Sequence, residues 1–258
     1  MTPRLKTWVA ALGISAALLP GATFAGLIDT AAALVALSHP ASSKTTQKRV
    51  DPLASAAEVF ENLTEGAPSW SAAEVDRSLA RFEVLHPTVS QRLPSASRAR
   101  LDTLVGGVRT AWQQKDRATM ALQSIEAYRL LQESMDYTGQ PVPVEVSLLD
   151  YSGFKLNALM LRTQPDWKQV AGTAQESSTW WKSIEAKVTD SKLQRAMNQT
   201  VKDMGDGALR QDTKLVRAAA TKDLALVDDL ETFFIAHPVN GRVAPLAWLP
   251  RALNHPLT

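Results

Sequence analysis

The chain contains no cysteine. This absence excludes disulfides, zinc–thiolate sites, iron–sulfur clusters, covalently attached c-type haem and cysteine nucleophiles. The chain also lacks a Gly-x-Ser-x-Gly nucleophile motif, a glycine-rich phosphate loop and paired carboxylates at a known catalytic spacing. These absences favour a protein that is not an enzyme, and nothing in the sequence predicts a cofactor.

Histidine is scarce, and each of the four histidines precedes a proline. Proline disfavours the helical conformation of the residue before it, which predicts these histidines at helix ends or in extended segments. We therefore expect His86 and His237 to end helices, where the imidazole interacts with exposed carbonyls. No pair shows the spacing of a metal-binding helix, so the histidines predict no metal site. The two others are His39 and His255.

The first 25 residues have the pattern of an export signal. Arg4 and Lys6 precede an uncharged apolar run over 8–19, and small residues precede Gly26 at the expected cleavage positions. We predict that residues 1–25 are a cleaved signal peptide and that the mature protein begins at Gly26. This places the protein in the periplasm.

A retained membrane anchor is the alternative, because residues 27–37 are again apolar; Asp29 interrupts that run and favours cleavage. Cleavage would remove Arg4 and Lys6 from the 28 basic residues and leave 26, which equals the number of acidic residues, 26. The mature chain would then have no net charge. A nucleic-acid partner would require a basic surplus, so none is expected. We expect another periplasmic or envelope protein, or a small ligand, as the partner, and no stable membrane span after cleavage.

Apolar residues recur at helical spacing through most of the chain, without sustained strand alternation, which predicts an all-α fold. Several helix starts are marked by residues that bind free backbone N–H groups. The predicted starts are Asp51-Pro52, the capping box from Ser71 to Glu74, and Asp116, Asp166 and Asp190.

An internal duplication is indicated by the two tripeptides Pro68-Ser-Trp70 and Pro165-Asp-Trp167, which lie 97 residues apart. Further along, the matching offset is 96, as in Leu101 with Met197, Asp116 with Asp212 and Leu131 with Val227. We predict two helical repeats, 52–139 and 145–236, packed as one domain. Their expected architecture is four-helix-bundle-like, with long interrupted helices. A tandem of two smaller bundles is the alternative.

The segments outside the repeats have different compositions. Residues 26–51 are predicted to be a flexible lead-in. Residues 237–258 form a Pro-rich tail, predicted to be extended because proline interrupts helices. The tail nevertheless carries large apolar residues, which disordered tails normally lack. It is expected to lie in a groove between helices through Trp248 and Leu249, or else to dock onto another protein.

A repeated Asp-Tyr motif brackets the junction of the two repeats. Asp136 and Tyr137 belong to one copy, Asp150 and Tyr151 to the other, and together they offer oxygen ligands for a cation such as Fe³⁺ or Ca²⁺. Turn and capping chemistry around the glycine that ends each motif is the favoured interpretation.

Glu231 falls within the apolar arc of the last helix in projection. A buried carboxylate requires a partner, so an edge position is expected, with Arg129 or Lys155 as candidate partners. Taken together, the sequence predicts an exported periplasmic helical-bundle protein with a non-catalytic binding or accessory role. The alternative is a periplasmic metal-ion (iron) handling protein, for which the Asp-Tyr residues and Glu231 are the candidate ligands.

Overall fold

The computed structural model describes residues 51–238. All of their regular structure is helical, which confirms the all-α prediction. The expectations for the signal peptide, nearly all of the lead-in and all of the tail beyond Pro238 lie outside the described residues. The helices are α1 (Pro52–Gly66), α2 (Ala72–Arg92), α3 (Ser95–Gln113), α4 (Arg117–Glu133), α5 (Val144–Leu159), α6 (Trp167–Ile184), a 3₁₀ turn (Glu185–Lys187), α7 (Ser191–Arg210) and α8 (Thr213–Ala236). Within 51–238, no helix combines the length and the apolar character needed to cross a membrane.

The predicted helix starts are confirmed, because capping depends on residues that are close in sequence. The Asp51 carboxylate accepts a hydrogen bond from the Leu53 backbone N–H, and Ser71 and Glu74 form the expected capping box. Asp116, Asp166 and Asp190 each cap a helix in the same way, and so does Asp212 at the start of α8.

The prediction that His86 ends a helix is wrong. Helix α2 continues through Pro87 to Arg92, although proline supplies no backbone N–H to the preceding turn. Val89 and Leu93, beyond the proline, are buried in the core, and this packing offsets the lost hydrogen bond. At the other site the prediction is confirmed: His237 follows the end of α8, and its backbone N–H donates to the Phe233 carbonyl.

Helices α1 and α4 form the centre of the first half. Helix α1 contacts α2 and α4, and α4 also contacts α3. The Phe60 and Phe82 rings meet between α1 and α2, with centroids 4.8 Å apart. His86 joins α2 to α3 through a 2.8 Å contact with Asp102.

In the second half, α5 contacts α6 and α8, and α7 contacts α6 and α8. The close packing of α6 against α7 has no counterpart of similar extent between α2 and α3. Helix α4 packs against α5 and joins the halves. Within 51–238, eight separate α-helices and one 3₁₀ turn replace the predicted long interrupted helices. At the first joint the Trp70 ring covers Gly66 so closely that a Cβ there would lie 2.1 Å from ring atoms. Trp70 precedes the cap of α2, whereas Trp167 follows the cap of α6.

Buried apolar side chains form two clusters. The larger one spans both halves, from Leu53 in α1 to Ala220 in α8. The smaller one lies at one end of the second half, where α5 begins and α8 ends. It includes Val146, Trp181, Ile184, Leu193 and Phe234. This end of the second half also borders the groove described below.

Candidate functional site

The junction between α4 and α5 holds all three tyrosines of the chain, Tyr128, Tyr137 and Tyr151. Two polar clusters lie there, one centred on two buried aspartates and one on Tyr151. A third feature, a groove, lies between α6 and α7. These are the polar and concave features of the described residues that bear on function.

The buried acid cluster consists of Asp150 in α5, Asp223 in α8 and Tyr128 in α4. Asp223 is fully buried, and Asp150 is 2% exposed. The Tyr128 hydroxyl donates to an Asp150 carboxylate oxygen at 3.2 Å. Neither carboxylate oxygen of Asp223 receives a hydrogen bond. The nearby Ser152 hydroxyl donates instead to the Leu149 carbonyl at 2.7 Å.

Burial raises the pKa of Asp223 well above its usual range, and the negative charge of Asp150 raises it further. The nearby Ser152 hydroxyl and Gly153 backbone N–H offset part of this rise. The pKa of the Tyr128 hydroxyl is also raised, first by burial and then by the charge of Asp150. Two neighbouring carboxylates in a dry interior are held most easily when one keeps its proton. Asp223 is the acid with the stronger reason to do so.

The Tyr151 cluster lies against α4 and α6 and contains Tyr151, Glu126, Arg129, Lys155 and Glu176. The Lys155 Nζ donates to the Tyr151 hydroxyl oxygen at 2.7 Å and lies 2.8 Å from Glu126 Oε1. The Tyr151 hydroxyl donates to the same Glu126 oxygen at 2.8 Å. Arg129 pairs with Glu176 at 3.0 Å, and so connects α4 of the first half with α6 of the second.

Aromatic contacts complete this cluster. The Arg129 guanidinium lies 5.0 Å from the centroid of the Tyr151 ring and 5.3 Å from that of Trp180, within the range of cation–π attraction. Burial raises the pKa of Tyr151 to about 12. Because its cations and carboxylates pair with one another, the cluster acts as a bracket between the two halves.

The first Asp-Tyr motif forms the turn that was predicted. Asp136 accepts a hydrogen bond from the Thr138 backbone N–H at 2.8 Å, and Gly139 has a φ of 74°. The turn interpretation is wrong for the second motif, because Asp150 and Tyr151 lie inside α5 and are buried. The apolar residues that flank this motif, such as Leu149 and Leu156, carry it into the core.

Glu231 is half-buried near Tyr128 and Tyr137, whose pKa values it helps to raise after burial, the largest cause. The candidate partners Arg129 and Lys155 form ion pairs with other glutamates in the Tyr151 cluster. The candidate metal ligands therefore lie in different places. Asp136 is in an exposed turn, Asp150 is in the acid cluster, and Tyr151 is in the Tyr151 cluster. Across the described part of the chain, no three His, Asp or Glu residues are grouped to hold a metal ion.

The α6–α7 groove is an open trench of about 510 Å³ between these two helices. Small residues of both helices line it, including Ala171, Ala174, Ser178, Gly205 and Ala208. A Cβ built at Gly205 would have no atom within 4 Å. At one end the Trp181 indole N–H donates to Asn198 at 2.5 Å, and Asn198 donates to Glu185 at 2.7 Å.

Leu209 lies at the other end of the α6–α7 groove with 84% of its surface exposed. Sequence reasoning missed this groove, although a signal was present. Alanine, serine and glycine recur three or four residues apart on both helices, at positions that face each other only once α6 and α7 are paired.

Comparison with known proteins adds no family assignment. No protein-family model matches the chain, and neither a curated protein nor a solved structure matches it at a significant level.

Proposed function

We propose that the protein is an exported helical-bundle protein with a non-catalytic binding or accessory role, and that the α6–α7 groove binds an apolar segment of an envelope protein. The groove is the single observation that carries this proposal. Its lining comes from two neighbouring helices and combines small residues with longer polar side chains such as Lys182, Glu185 and Lys202.

The shape and chemistry of the groove favour a protein segment over a compact ligand. Binding sites for small molecules are usually enclosed and bring a few polar groups together, whereas this trench is open along its length. The alanine, serine and glycine residues of the lining leave room for large side chains of a partner. Leu209, exposed at one end, adds apolar surface that is continuous with the trench.

The pairing of charges at the α4–α5 junction supports a non-catalytic role. A general acid or base must reach a substrate, but Lys155 and Arg129 are engaged with glutamates and with the Tyr151 ring. Asp150 and Asp223 are buried among the helices. The reactive groups of this region therefore serve the packing of the protein.

The binding role is tested by photo-crosslinking in intact cells. Benzoylphenylalanine replaces Leu209 in one variant and Val84 of α2 in a matched control, since these side chains are 84% and 80% exposed. We expect an adduct with one envelope protein from position 209 and none from position 84.

The adduct partner is then purified and its Kd is measured with two tryptophan variants. Gly205→Trp fills the groove and should weaken binding at least tenfold, whereas Gly106→Trp on α3 should leave the Kd unchanged. Neither glycine has an atom within 4 Å of a built Cβ, so both variants are expected to fold. Equal adducts from both crosslinking positions, or an unchanged Kd for Gly205→Trp, would contradict the proposed binding surface.

Export is proposed from the signal-like pattern of residues 1–25. Mass spectrometry of the protein from the periplasmic fraction should give an N-terminus at Gly26, within one or two residues. Recovery from membranes alone, with Met1 still present, would disprove this part of the proposal.

We also propose that α1–α4 and α5–α8 are copies of one four-helix unit. The contacts of α1 with α2 and α4 and of α3 with α4 recur as those of α5 with α6 and α8 and of α7 with α8, which supports this proposal, as do the caps at Asp116 and Asp212. A crystal structure provides the test: superposing 53–135 on 149–232 should bring Asp116 onto Asp212 and Trp70 close to Trp167. Unrelated positions would contradict duplication.

A further inference from the structure

The last turn of α8 and one end of the α6–α7 groove share an apolar cluster. Phe234, in the last turn of α8, is buried in the smaller apolar cluster together with Trp181 and Ile184. Trp181 also lines the groove. One side chain therefore connects the exit of the chain from α8 with one end of the trench.

The remaining chain is long enough to enter the groove. Residues 239–258 number 20, and Ala247 is the ninth residue after Pro238. Nine extended residues span up to about 30 Å. The distance along α7 from Asn198 to Gly205 is about 10 Å, at 1.5 Å per residue.

The segment around Trp248 offers large apolar side chains to the groove. It contains Leu246, Trp248 and Leu249 within four positions, and no aspartate or glutamate lies between 239 and 258. An indole ring is a strong anchor because it buries a large apolar area at a small entropic cost. The open space above Gly205 offers a place for such a ring, since no atom lies within 4 Å of a Cβ built there.

We propose that the segment Leu246–Leu249 of the chain's own C-terminal tail occupies the α6–α7 groove in the free protein and competes with the partner for it. This inference rests on the proposed binding function of the groove and adds its regulation. The partner gains access by displacing the tail. The apparent Kd of the partner is therefore its intrinsic Kd divided by the fraction of protein in which the groove is free of the tail.

Crosslinking between introduced cysteines tests the position of the tail, and the absence of native cysteine makes every thiol assignable. The full chain carries Ala247→Cys together with Gly205→Cys in the groove. The matched control carries Ala247→Cys with Ala186→Cys, in the exposed 3₁₀ turn after α6. A short bismaleimide then joins the two thiols, and the intramolecular adduct is followed by mass spectrometry.

The control position separates docking from simple proximity. Residue 186 lies beside Val188, which packs in the same cluster as Phe234 at the exit of α8. A freely moving tail would therefore react faster with position 186. A docked tail should react at least tenfold faster with position 205, and adding Trp248→Ala and Leu249→Ala should abolish this preference. Faster reaction at 186, or a preference that survives the two alanine substitutions, would overturn the inference.

Partner binding distinguishes this inference from the proposed function. With the partner identified by photo-crosslinking, the full chain carrying Trp248→Ala and Leu249→Ala should bind at least fivefold more tightly than the wild type. An unchanged Kd would overturn the competition even if the partner still binds in the groove. The tail could also crosslink at position 205 while Gly205→Trp leaves the Kd for the partner unchanged. That pair of results would support the docked tail and refute the groove as the partner's site.

Discussion

Asp116 and Asp212, 96 residues apart in the sequence, occupy the same position in two helices. Each is the residue before a helix, and each accepts a hydrogen bond from a free backbone N–H of the first turn: Asp116 from Thr119 at 2.9 Å and Asp212 from Lys214 at 2.9 Å. The last helix of each half therefore begins with the same device. This equivalence makes the two aspartates a matched pair for mutation.

Asp116→Ala and Asp212→Ala should each lower the free energy of unfolding by about 0.5–2 kcal/mol, the usual contribution of a helix cap. Urea denaturation at pH 7 measures both. Asp229→Ala, at an exposed position inside α8, is the control and should change stability by less than about 0.5 kcal/mol. A cost at Asp229 equal to that at the caps would show that loss of charge, and not capping, is responsible.

The cap at Asp116 should also respond to acid. Hydrogen bonds from the Thr119 side chain and backbone lower the pKa of Asp116. Its stabilisation is therefore present at neutral pH and is lost as the pH falls through the folded-state pKa. The difference in unfolding free energy between wild type and Asp116→Ala should shrink on acidification. A difference that stays constant down to pH 2 would contradict the assignment.

Two glycines test how closely α7 and α8 approach each other. A Cβ at Gly207 would lie 2.8 Å from a Val216 methyl group and 3.1 Å from the Val216 backbone nitrogen. Gly207→Ala should therefore destabilise the protein by about 1–3 kcal/mol, because backbone must move. Gly106→Ala, at an open helical position, should stabilise it by about 0.5–1 kcal/mol. Thermal unfolding of the two variants should shift Tm in opposite directions; a shift in the same direction would disprove the close approach.

The sequence predicted the helical class and the caps because both depend on residues near each other along the chain. It failed at Pro87 and at the motif around Asp150. In both places burial against other helices decides the backbone conformation, and burial depends on pairing that a single sequence does not display. A proline is tolerated in α2 because Val89 and Leu93 anchor the last turn.

The candidate site was predictable only in part. The Asp-Tyr repeat drew attention to the α4–α5 junction, but no motif in the sequence singles out Tyr128 and Asp223, which belong to the same acid cluster. Asp223 is buried because α5 packs against its face of α8. Gly153 of α5 has no side chain and so allows α5 to approach Asp223 closely.

The pair of Arg129 and Glu176 should contribute to the connection between the two halves. We expect a coupling energy of about 1 kcal/mol from a double-mutant cycle with Arg129→Met and Glu176→Gln, since the Arg129 side chain is only 23% exposed. The control cycle uses Arg81 and Glu58, whose side chains are 50% and 42% exposed, and should give less than about 0.5 kcal/mol. Equal coupling in both cycles would mean that the burial of Arg129 adds nothing.

The buried acid cluster should make stability depend on pH in the direction opposite to a helix cap. Because burial and Asp150 raise the pKa of Asp223, the folded protein keeps this proton at pH values where the unfolded chain has lost it. Stability from this group therefore falls as the pH rises above the unfolded-state value, by at most about 1.4 kcal/mol per pH unit, until the folded-state pKa is reached.

Asp223→Asn removes this titration while it keeps the size and the polarity of the side chain. Its stability relative to wild type should rise steadily from pH 4 to pH 7, as measured by urea denaturation at each pH. Asp229→Asn, at an exposed position six residues along α8, serves as the control and should show no such trend. In addition, infrared spectroscopy of the wild type at pH 7 should show a protonated carboxyl band that is missing in Asp223→Asn. A flat stability difference together with no such band would mean that Asp223 is ionised, and that an unidentified cation must neutralise it inside the bundle.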